Sequence, residues 1–295
     1  MVFRELSVAV LIVSAGFISA CQSSSESLFT LLPAEETGIT FANRITESDS
    51  VSILDVEYFY NGGGVALGDF NNDGLPDVFF TGNQVTNRLF LNKGDFKFTD
   101  ITSSAGVTGN GKWCSGATLV DINNDGWLDI YVSATLSKVD KQRENLLYIN
   151  QGVRDGKPVF REMATEYGIA DNSHTTHAAF FDYDNDGDAD LYLLTDRIDE
   201  YPNVYRAKVN DGSSLNTDRL YRNDPDPKLG HPVFTNVSAQ AGILHDGYGL
   251  GVNIVDINRD GWKDIYVTND YLSDDLLYVN NHDGTFTDRA AESFK

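Results

Sequence analysis

A nine-residue acidic segment occurs four times in this 295-residue chain, and its residue types suit the binding of a metal ion. Each copy fits the pattern D-x-[DN]-x-D-G-x-x-D, which places oxygen-bearing side chains at positions 1, 3, 5 and 9. Hard cations such as Ca²⁺ take carboxylate, amide and carbonyl oxygens as ligands. The pattern therefore predicts four calcium loops, which run over residues 69–77, 121–129, 182–190 and 256–264.

A ligand set can be assigned to each loop by position. Position 7 adds its backbone carbonyl to the side-chain oxygens, and Gly at position 6 permits the positive φ of a sharp turn. The third loop has five carboxylates, so we expect it to bind Ca²⁺ most tightly. The predicted ligands are Asp69, Asn71, Asp73, Leu75 and Asp77; Asp121, Asn123, Asp125, Trp127 and Asp129; Asp182, Asp184, Asp186, Asp188 and Asp190; and Asp256, Asn258, Asp260, Trp262 and Asp264.

Two other interpretations of these loops are weaker. Clusters of Asp, Asn and Gly also form plain turns, but four copies in the same register between apolar runs favour a shared ligand. An EF-hand would need Glu at position 12 and flanking helices. Position 12 is instead Phe80, Val132, Leu193 or Val267. We therefore expect about four structural Ca²⁺ ions, each fastening a β-hairpin rather than supporting catalysis.

The loops must be positioned by short β-strands. An apolar run precedes each loop, a second follows it, and two further runs end in Asn or open on Phe, which gives four strands per repeat. The loops begin at residues 69, 121, 182 and 256, and recurrence at such intervals indicates a repeat architecture. We predict an all-β fold: a β-propeller of four-stranded blades, here an incomplete portion of about four blades of a seven-bladed ring.

The amino terminus indicates export. Residues 1–20 read as a lipoprotein signal peptide, because the apolar run of residues 7–20 is too short to span a membrane and ends in small residues before Cys21. We predict that Cys21 carries lipid and anchors the protein to the bacterial outer membrane or cell surface. A plain secretory signal with an incidental Cys21 is the alternative, and residues 21–28 read as a polar tether.

The two ends of the repeat region suggest that the sequence is the amino-terminal part of a longer protein. Residues 29–61 read as a lead-in strand, since residues 29–39 match the tail of a repeat, as in residues 98–107. Residues 62–295 hold the four repeats and stop where another loop-bearing hairpin is expected.

Composition excludes some functions and leaves others open. The net charge of −22 disfavours nucleic-acid binding. The loops contain 14 of the acidic side chains, whose charge bound Ca²⁺ would partly neutralise. Cys114 is predicted to be a small buried hydrophobe. Insertions at residues 137–144 and 196–218 separate the second and third strands of two repeats, and they are either binding surfaces or neutral elaboration.

The loops and their flanking strands resemble the FG-GAP/VCBS repeat of integrin-α-like propellers. The segment Tyr60–Gly74 and the pattern Leu-Tyr-x-Asn…Phe-Thr-Asp…Ala-Gly-Ile are also similar to bacterial VCBS proteins of the ASPIC/UnbV, cartilage acidic protein-like, group. The resemblance implies a seven-bladed propeller, extracellular display and a role in adhesion or ligand binding. It places the family's calcium ligands on the loop positions named above.

Two classes of function remain. The first is a calcium-binding, surface-anchored module for adhesion to a protein or glycan ligand. The second is a propeller enzyme, a lyase or hydrolase acting on polysaccharide. The chain contains none of the common nucleophile or metalloprotease motifs, and its five His residues are scattered, with His174 and His177 just before a strand. We therefore predict a binding module and no catalytic residues.

Overall fold

The computed structural model describes residues 27–49, 51–198, 208–271 and 273–293. The lipidation candidate Cys21, the signal peptide and most of the tether lie outside these residues, as does the middle of the insertion at 196–218. No helix in the described ranges has both the length and the apolar character needed to cross a bilayer.

Sixteen strands in the described residues form four antiparallel sheets of four strands each, which confirms the predicted all-β fold of blade-like repeats. Each sheet is a simple up-and-down meander. Blade 1 contains β1 (Val65–Gly68), β2 (Asp77–Phe80), β3 (Arg88–Asn92) and β4 (Phe98–Asp100), and blade 2 contains β5 (Cys114–Val120), β6 (Asp129–Ala134), β7 (Leu146–Arg154) and β8 (Lys157–Glu162). Blade 3 contains β9 (Thr175–Phe181), β10 (Asp190–Thr195), β11 (Arg219–Asp226) and β12 (His231–Asn236), and blade 4 contains β13 (Gly249–Val255), β14 (Asp264–Asn269), β15 (Leu276–Asn280) and β16 (Phe286–Asp288).

The blades pack face against face in chain order. Their first strands β1, β5, β9 and β13 lie side by side, each in contact with the next. An apolar core fills each of the three interfaces, and its members alternate along the strands because successive side chains point to opposite faces of a sheet. Tyr131 of β6 thus packs toward blade 3, whereas Ile130 and Val132 pack toward blade 1. Cys114 is fully buried in the first of these cores, as predicted.

Short helices with a glycine cap connect blade 1 to blade 2 and blade 3 to blade 4, and a turn that ends at Gly168 lies between blades 2 and 3. The helices are α1 (Ala34–Thr37), α2 (Thr102–Ala105), α3 (Asp140–Arg143), α4 (Ser238–Ala241) and α5 (Ala290–Ser293), of which α3 lies in the blade 2 insertion. Gly106 and Gly242 follow α2 and α4 at φ of 82° and 81°, a conformation that favours glycine. Each lies against the backbone of the last strand of the next blade.

The lead-in segment is partly as predicted. Helix α1 and Gly38 lie against Phe98 of β4 as the other connections lie against their blades, so residues 33–39 do repeat the tail of a blade. The predicted lead-in strand is wrong, because residues 29–32 form no strand and Phe29 and Leu31 are exposed. A strand needs a hydrogen-bonding partner, and within the described residues none lies beside this segment.

Residues 55–60 connect the lead-in to distant blades. The Phe59 ring is fully buried and lies 5.3 Å from the ring of Trp113 in the segment before β5. The Tyr58 hydroxyl donates to Asp270 Oδ2 at 3.1 Å, which joins residues 212 positions apart. The lead-in therefore contacts both blade 2 and blade 4 at the end of the strands opposite the acidic loops.

Candidate metal centre

Each acidic loop connects the first and second strands of its blade. Strand β1 ends at Gly68 and β2 begins at Asp77, and the other three blades repeat this arrangement. The residue at position 4 has a positive φ of 55° to 64°, and the following Gly at position 6 has a φ of 86° to 99°. These two left-handed residues give the loop its sharp turn between the first and second strands. Position 4 is Asn72, Asn124, Asn185 or Arg259.

The first aspartate of each loop binds the backbone of the turn. Asp69 accepts the N–H of Asp73 at 3.0 Å on one oxygen and the N–H of Gly74 at 2.7 Å on the other. The same pair of bonds occurs at Asp121, Asp182 and Asp256. In turn, Oδ1 of the aspartate at position 5 accepts the N–H of position 7 at 2.9 to 3.1 Å. Each oxygen keeps a second lone pair, so these bonds orient ligands without using them up.

The aspartate at position 9 is buried beneath the loop. Asp77, Asp129, Asp190 and Asp264 have no exposed surface. Each accepts the backbone N–H of position 2 on one oxygen and the backbone N–H of a third-strand asparagine on the other, at 2.7 to 3.1 Å. Burial raises the pKa of Asp77 to about 6 and that of Asp129 to about 7, and the neighbouring loop carboxylates add to the shift.

The third loop gathers the most negative charge. One ligand oxygen from each of Asp182, Asp184 and Asp190 lies within 4.8 Å of the others, a spacing that suits shared coordination of one ion. Burial raises the pKa of Asp190 to about 7, and burial with the adjacent Asp186 and Asp184 raises that of Asp188 to about 6. Without a cation, Asp188 and Asp190 are therefore shifted toward their protonated forms.

Buried oxygens that lack a hydrogen-bond partner test whether the loop residues fit a cation. Oδ1 atoms of Asn71, Asp184 and Asp188 are buried and have no hydrogen-bond partner, although buried acceptors are normally satisfied. In the three loops with Asn at position 3, its Nδ2 donates to the aspartate at position 5, which turns its Oδ1 away from that carboxylate. The donor set consists of oxygens alone, so the residues fit Ca²⁺.

The sequence interpretation missed the asparagines that anchor the loops. Backbone N–H groups of Asn92, Asn150, Asn223 and Asn280 supply the bonds to position 9, and their Nδ2 atoms donate to the carbonyl of position 8. Asn150 and Asn280 also donate to the carbonyls of Phe70 and Tyr183 in the preceding blade. The signal was present, since each asparagine ends a Leu-[Phe/Tyr]-x-Asn run.

The histidines do not form one cluster. His174 is buried at a blade interface, with Nδ1 3.4 Å from Thr135 Oγ1, while His177 lies exposed on β9. His231 stacks on Tyr167 with ring centroids 4.4 Å apart. Nε2 of His282 lies 2.8 Å from Asp260 Oδ2 in the fourth loop, and its ring stacks on Trp262. These contacts make His174 and His231 parts of the packing.

Comparison with known proteins agrees with this description of the repeats. Residues 58–132, which include the first two loops, match the family model of the FG-GAP-like repeat. Residues 58–132 therefore carry an FG-GAP-like repeat, and the four four-stranded sheets of the described residues are β-propeller-like blades.

Its relatives include cartilage acidic protein 1 from Xenopus tropicalis, 27% identical over 81% of this chain and 33% of that protein. Cartilage acidic protein 1 from Homo sapiens is 28% identical over 71% of this chain and 28% of that protein. The chain thus spans about a third of the length of these curated relatives, and neither name describes an enzyme.

One solved structure is titled as the recognition of non-reducing terminal N-acetylglucosamine by an Agrocybe aegerita lectin. It covers 76% of this chain and 50% of that chain, with a TM-score of 0.40 and 16% identity. A likeness at this level supports no conclusion about the ligand of the present protein.

Proposed function

We propose that this chain is a calcium-stabilised binding module, in which one Ca²⁺ per loop fastens each blade and other surfaces recognise a protein or glycan. The observation that carries the calcium assignment is the third loop, where oxygens of three carboxylates converge within 4.8 Å of one another. Three carboxylates at this distance repel one another when no ion lies between them.

A structural role for the ions fits the position of the loops. The aspartate at position 9 is buried and bound by two backbone N–H groups, so both of its oxygens already hold the hairpin. The loops lie at one end of the blades, and Asn72 Nδ2 of the first loop donates to the carbonyl of Gly126 in the second at 3.1 Å. An ion in one loop would thereby stiffen its neighbour as well.

Export and anchoring complete the proposal. The apolar run before Cys21 supports secretion, and a lipid on Cys21 would hold the blades at the bacterial outer membrane or cell surface. Outside the cell Ca²⁺ is abundant, so sites of modest affinity fill. Labelling with a radioactive fatty acid tests the anchor, and Cys21→Ser should remove the label.

Calcium titration calorimetry on the full chain tests the metal assignment. Asp184→Ala should remove one ion per chain, because Asp184 is predicted to be a ligand at position 3 of the third loop. Asp211→Ala is the matched control, since Asp211 is a solvent-exposed carboxylate outside the loops. Unchanged stoichiometry in Asp184→Ala would contradict the assignment.

Binding is tested with protein and glycan arrays, each probed with and without Ca²⁺, beside a screen for polysaccharide hydrolase and lyase activity. The proposal predicts saturable binding that EDTA abolishes. Turnover without saturable binding would instead favour the polysaccharide enzyme.

A further inference from the structure

A cavity of about 460 Å³ opens between blades 1 and 2, at the strand ends opposite the acidic loops. Its size lies within the roughly 300 to 1,000 Å³ of small-ligand sites. It lies beside the blade 2 insertion, which the sequence singled out as a candidate surface. We call it the interblade cavity, and the described residues that line it are Val51, Asn83, Gln84, Gly111, Lys112, Trp113, Leu136, Ser137 and Gln142.

The charge of the lining is unusual for this chain. Although 44 of the 295 residues are Asp or Glu, none of the nine described lining residues is acidic, and Lys112 is the charged one. The remaining polar groups are three amides and a hydroxyl, which donate to and accept from neutral oxygens. Such a lining suits a ligand that is rich in hydroxyl groups and carries a negative charge.

The Lys112 side chain is buried, and its ammonium group is hydrogen-bonded within the protein. Its side chain is 9% exposed, and Nζ donates to the backbone carbonyl of Lys141, which leaves two N–H donors. Burial lowers the pKa of Lys112, while Glu144 and Glu162 act in the opposite direction. Lys112 also lines an adjacent cavity, whose lining includes both glutamates, and Glu144 is paired with the ammonium of Lys141. Neither glutamate lines the interblade cavity, so an anionic ligand there would face no carboxylate of the described lining.

Trp113 supplies a flat apolar surface beside this charge. The indole is half-buried, and Phe59 packs against it with ring centroids 5.3 Å apart. A fixed aromatic ring next to polar groups can hold the apolar face of a sugar ring while the hydroxyls are hydrogen-bonded.

The amides around Trp113 are also pre-positioned. Asn83 exchanges hydrogen bonds with Asn43, and Gln84 binds both backbone groups of Thr46. Gln142, at the opposite wall on α3, is exposed. Rigid walls reduce the entropy that binding costs.

We propose that the interblade cavity binds an acidic saccharide, with the sugar ring against Trp113 and its carboxylate on the Lys112 ammonium. Hydroxyl groups of the sugar would bond to Ser137 and Gln142. This inference rests on the proposed binding function and adds the site and the ligand class.

The test is calorimetric titration of the full chain, in saturating Ca²⁺, with tri-galacturonate and with its methyl ester, in which the carboxylates are masked. Wild-type protein should bind tri-galacturonate saturably and its ester at least tenfold more weakly. Lys112→Met should lose at least tenfold in affinity for tri-galacturonate, as expected when a charge-assisted bond is removed. Lys138→Met is the matched control, because Lys138 is exposed in the same insertion and does not line the cavity. Trp113→Ala should lose binding of both probes.

Each other result overturns the inference in a distinct way. If tri-galacturonate and its ester bind with equal affinity, and Lys112→Met binds as tightly as wild type, the site does not recognise the carboxylate. Saccharide binding that survives Trp113→Ala moves the site elsewhere, while the proposed binding function stands. If neither probe binds but the arrays yield another ligand, the ligand class is wrong. If the arrays too are empty, the proposed function fails as well. Circular dichroism of each variant shows whether it is folded.

Discussion

Nδ2 of Asn150 donates a hydrogen bond of 2.9 Å to the carbonyl of Phe70, which lies 80 residues earlier in the preceding blade. Phe70 is position 2 of the first acidic loop, and the backbone N–H of Asn150 binds Asp129 of the second. One buried asparagine thus connects two candidate calcium loops. Asn280 repeats the connection between blades 3 and 4 through the carbonyl of Tyr183 at 2.8 Å.

We predict that Asn150→Ala destabilises the protein by about 1 to 3 kcal/mol, because it leaves the buried carbonyl of Phe70 unpaired. Asn92→Ala is the matched control. Asn92 Nδ2 binds Pro76 of its own blade and is partly exposed, so its loss should cost about 1 kcal/mol or less. Urea unfolding in Ca²⁺ measures both. Equal losses in the two variants would show that the interblade bond adds nothing.

Arg259→Asn should stabilise the fourth loop. Arg259 has a φ of 64°, a region that asparagine tolerates better than other non-glycine residues, and the other three loops place Asn there. We expect a gain of about 0.5 to 1 kcal/mol in the free energy of unfolding, within the penalty known for left-handed residues. The reverse change Asn124→Arg should destabilise by a similar amount. A loss of stability in Arg259→Asn would contradict this explanation.

Blade 1 lacks a hydroxyl that the other blades have. The buried Nδ2 of Asn87 has no oxygen partner, whereas the equivalent Asn145 donates to the Tyr131 hydroxyl at 3.0 Å. Phe79 occupies the tyrosine position in blade 1, since it pairs with Leu89 as Tyr131 pairs with Leu147. Phe79→Tyr should therefore stabilise by up to about 1 kcal/mol in thermal unfolding. Tyr131→Phe should destabilise, and a stabilising effect there would refute the argument.

Without metal, stability should fall as pH rises. The pKa values of Asp129 and Asp190 are about 7 in the folded protein, above the value of about 4 for an unfolded aspartate. Between these values the folded state holds protons that the unfolded state has released, so its stability decreases with rising pH. In EDTA, the thermal unfolding temperature should drop from pH 5 to pH 8. Ca²⁺ favours the ionised carboxylates, so the drop should be smaller in its presence.

Much of the fold could be predicted because the acidic loop and the four apolar runs around it recur four times in the sequence. The third strands β3 and β15 end at Asn92 and Asn280, in agreement with the predicted apolar runs that end in Asn. Strands β7 and β11 instead extend to Arg154 and Asp226, beyond Asn150 and Asn223 at the ends of their apolar runs, because long hairpins add pairing that local pattern does not encode.

Other features depend on contacts that no local pattern contains. The roles of Asn150 and Tyr58 arise from partners 80 and 212 residues away. The residue before each third strand accepts a backbone N–H at or just after the end of the second strand, and this contact could be found only by aligning the repeats. The accepting residues are Asn87, Asn145, Asp218 and Asp275. The prediction of a lead-in strand was wrong for a related reason, since strand formation depends on a neighbouring strand as much as on residue type.

Thermal unfolding in Ca²⁺ and in EDTA at pH 7.5, followed by circular dichroism, tests the central claim most directly. If each acidic loop holds an ion that fastens its blade, EDTA should lower the unfolding temperature substantially and added Ca²⁺ should restore it, with Mg²⁺ less effective because of its stricter octahedral geometry. An unfolding temperature that is the same in EDTA and in Ca²⁺ would contradict the account.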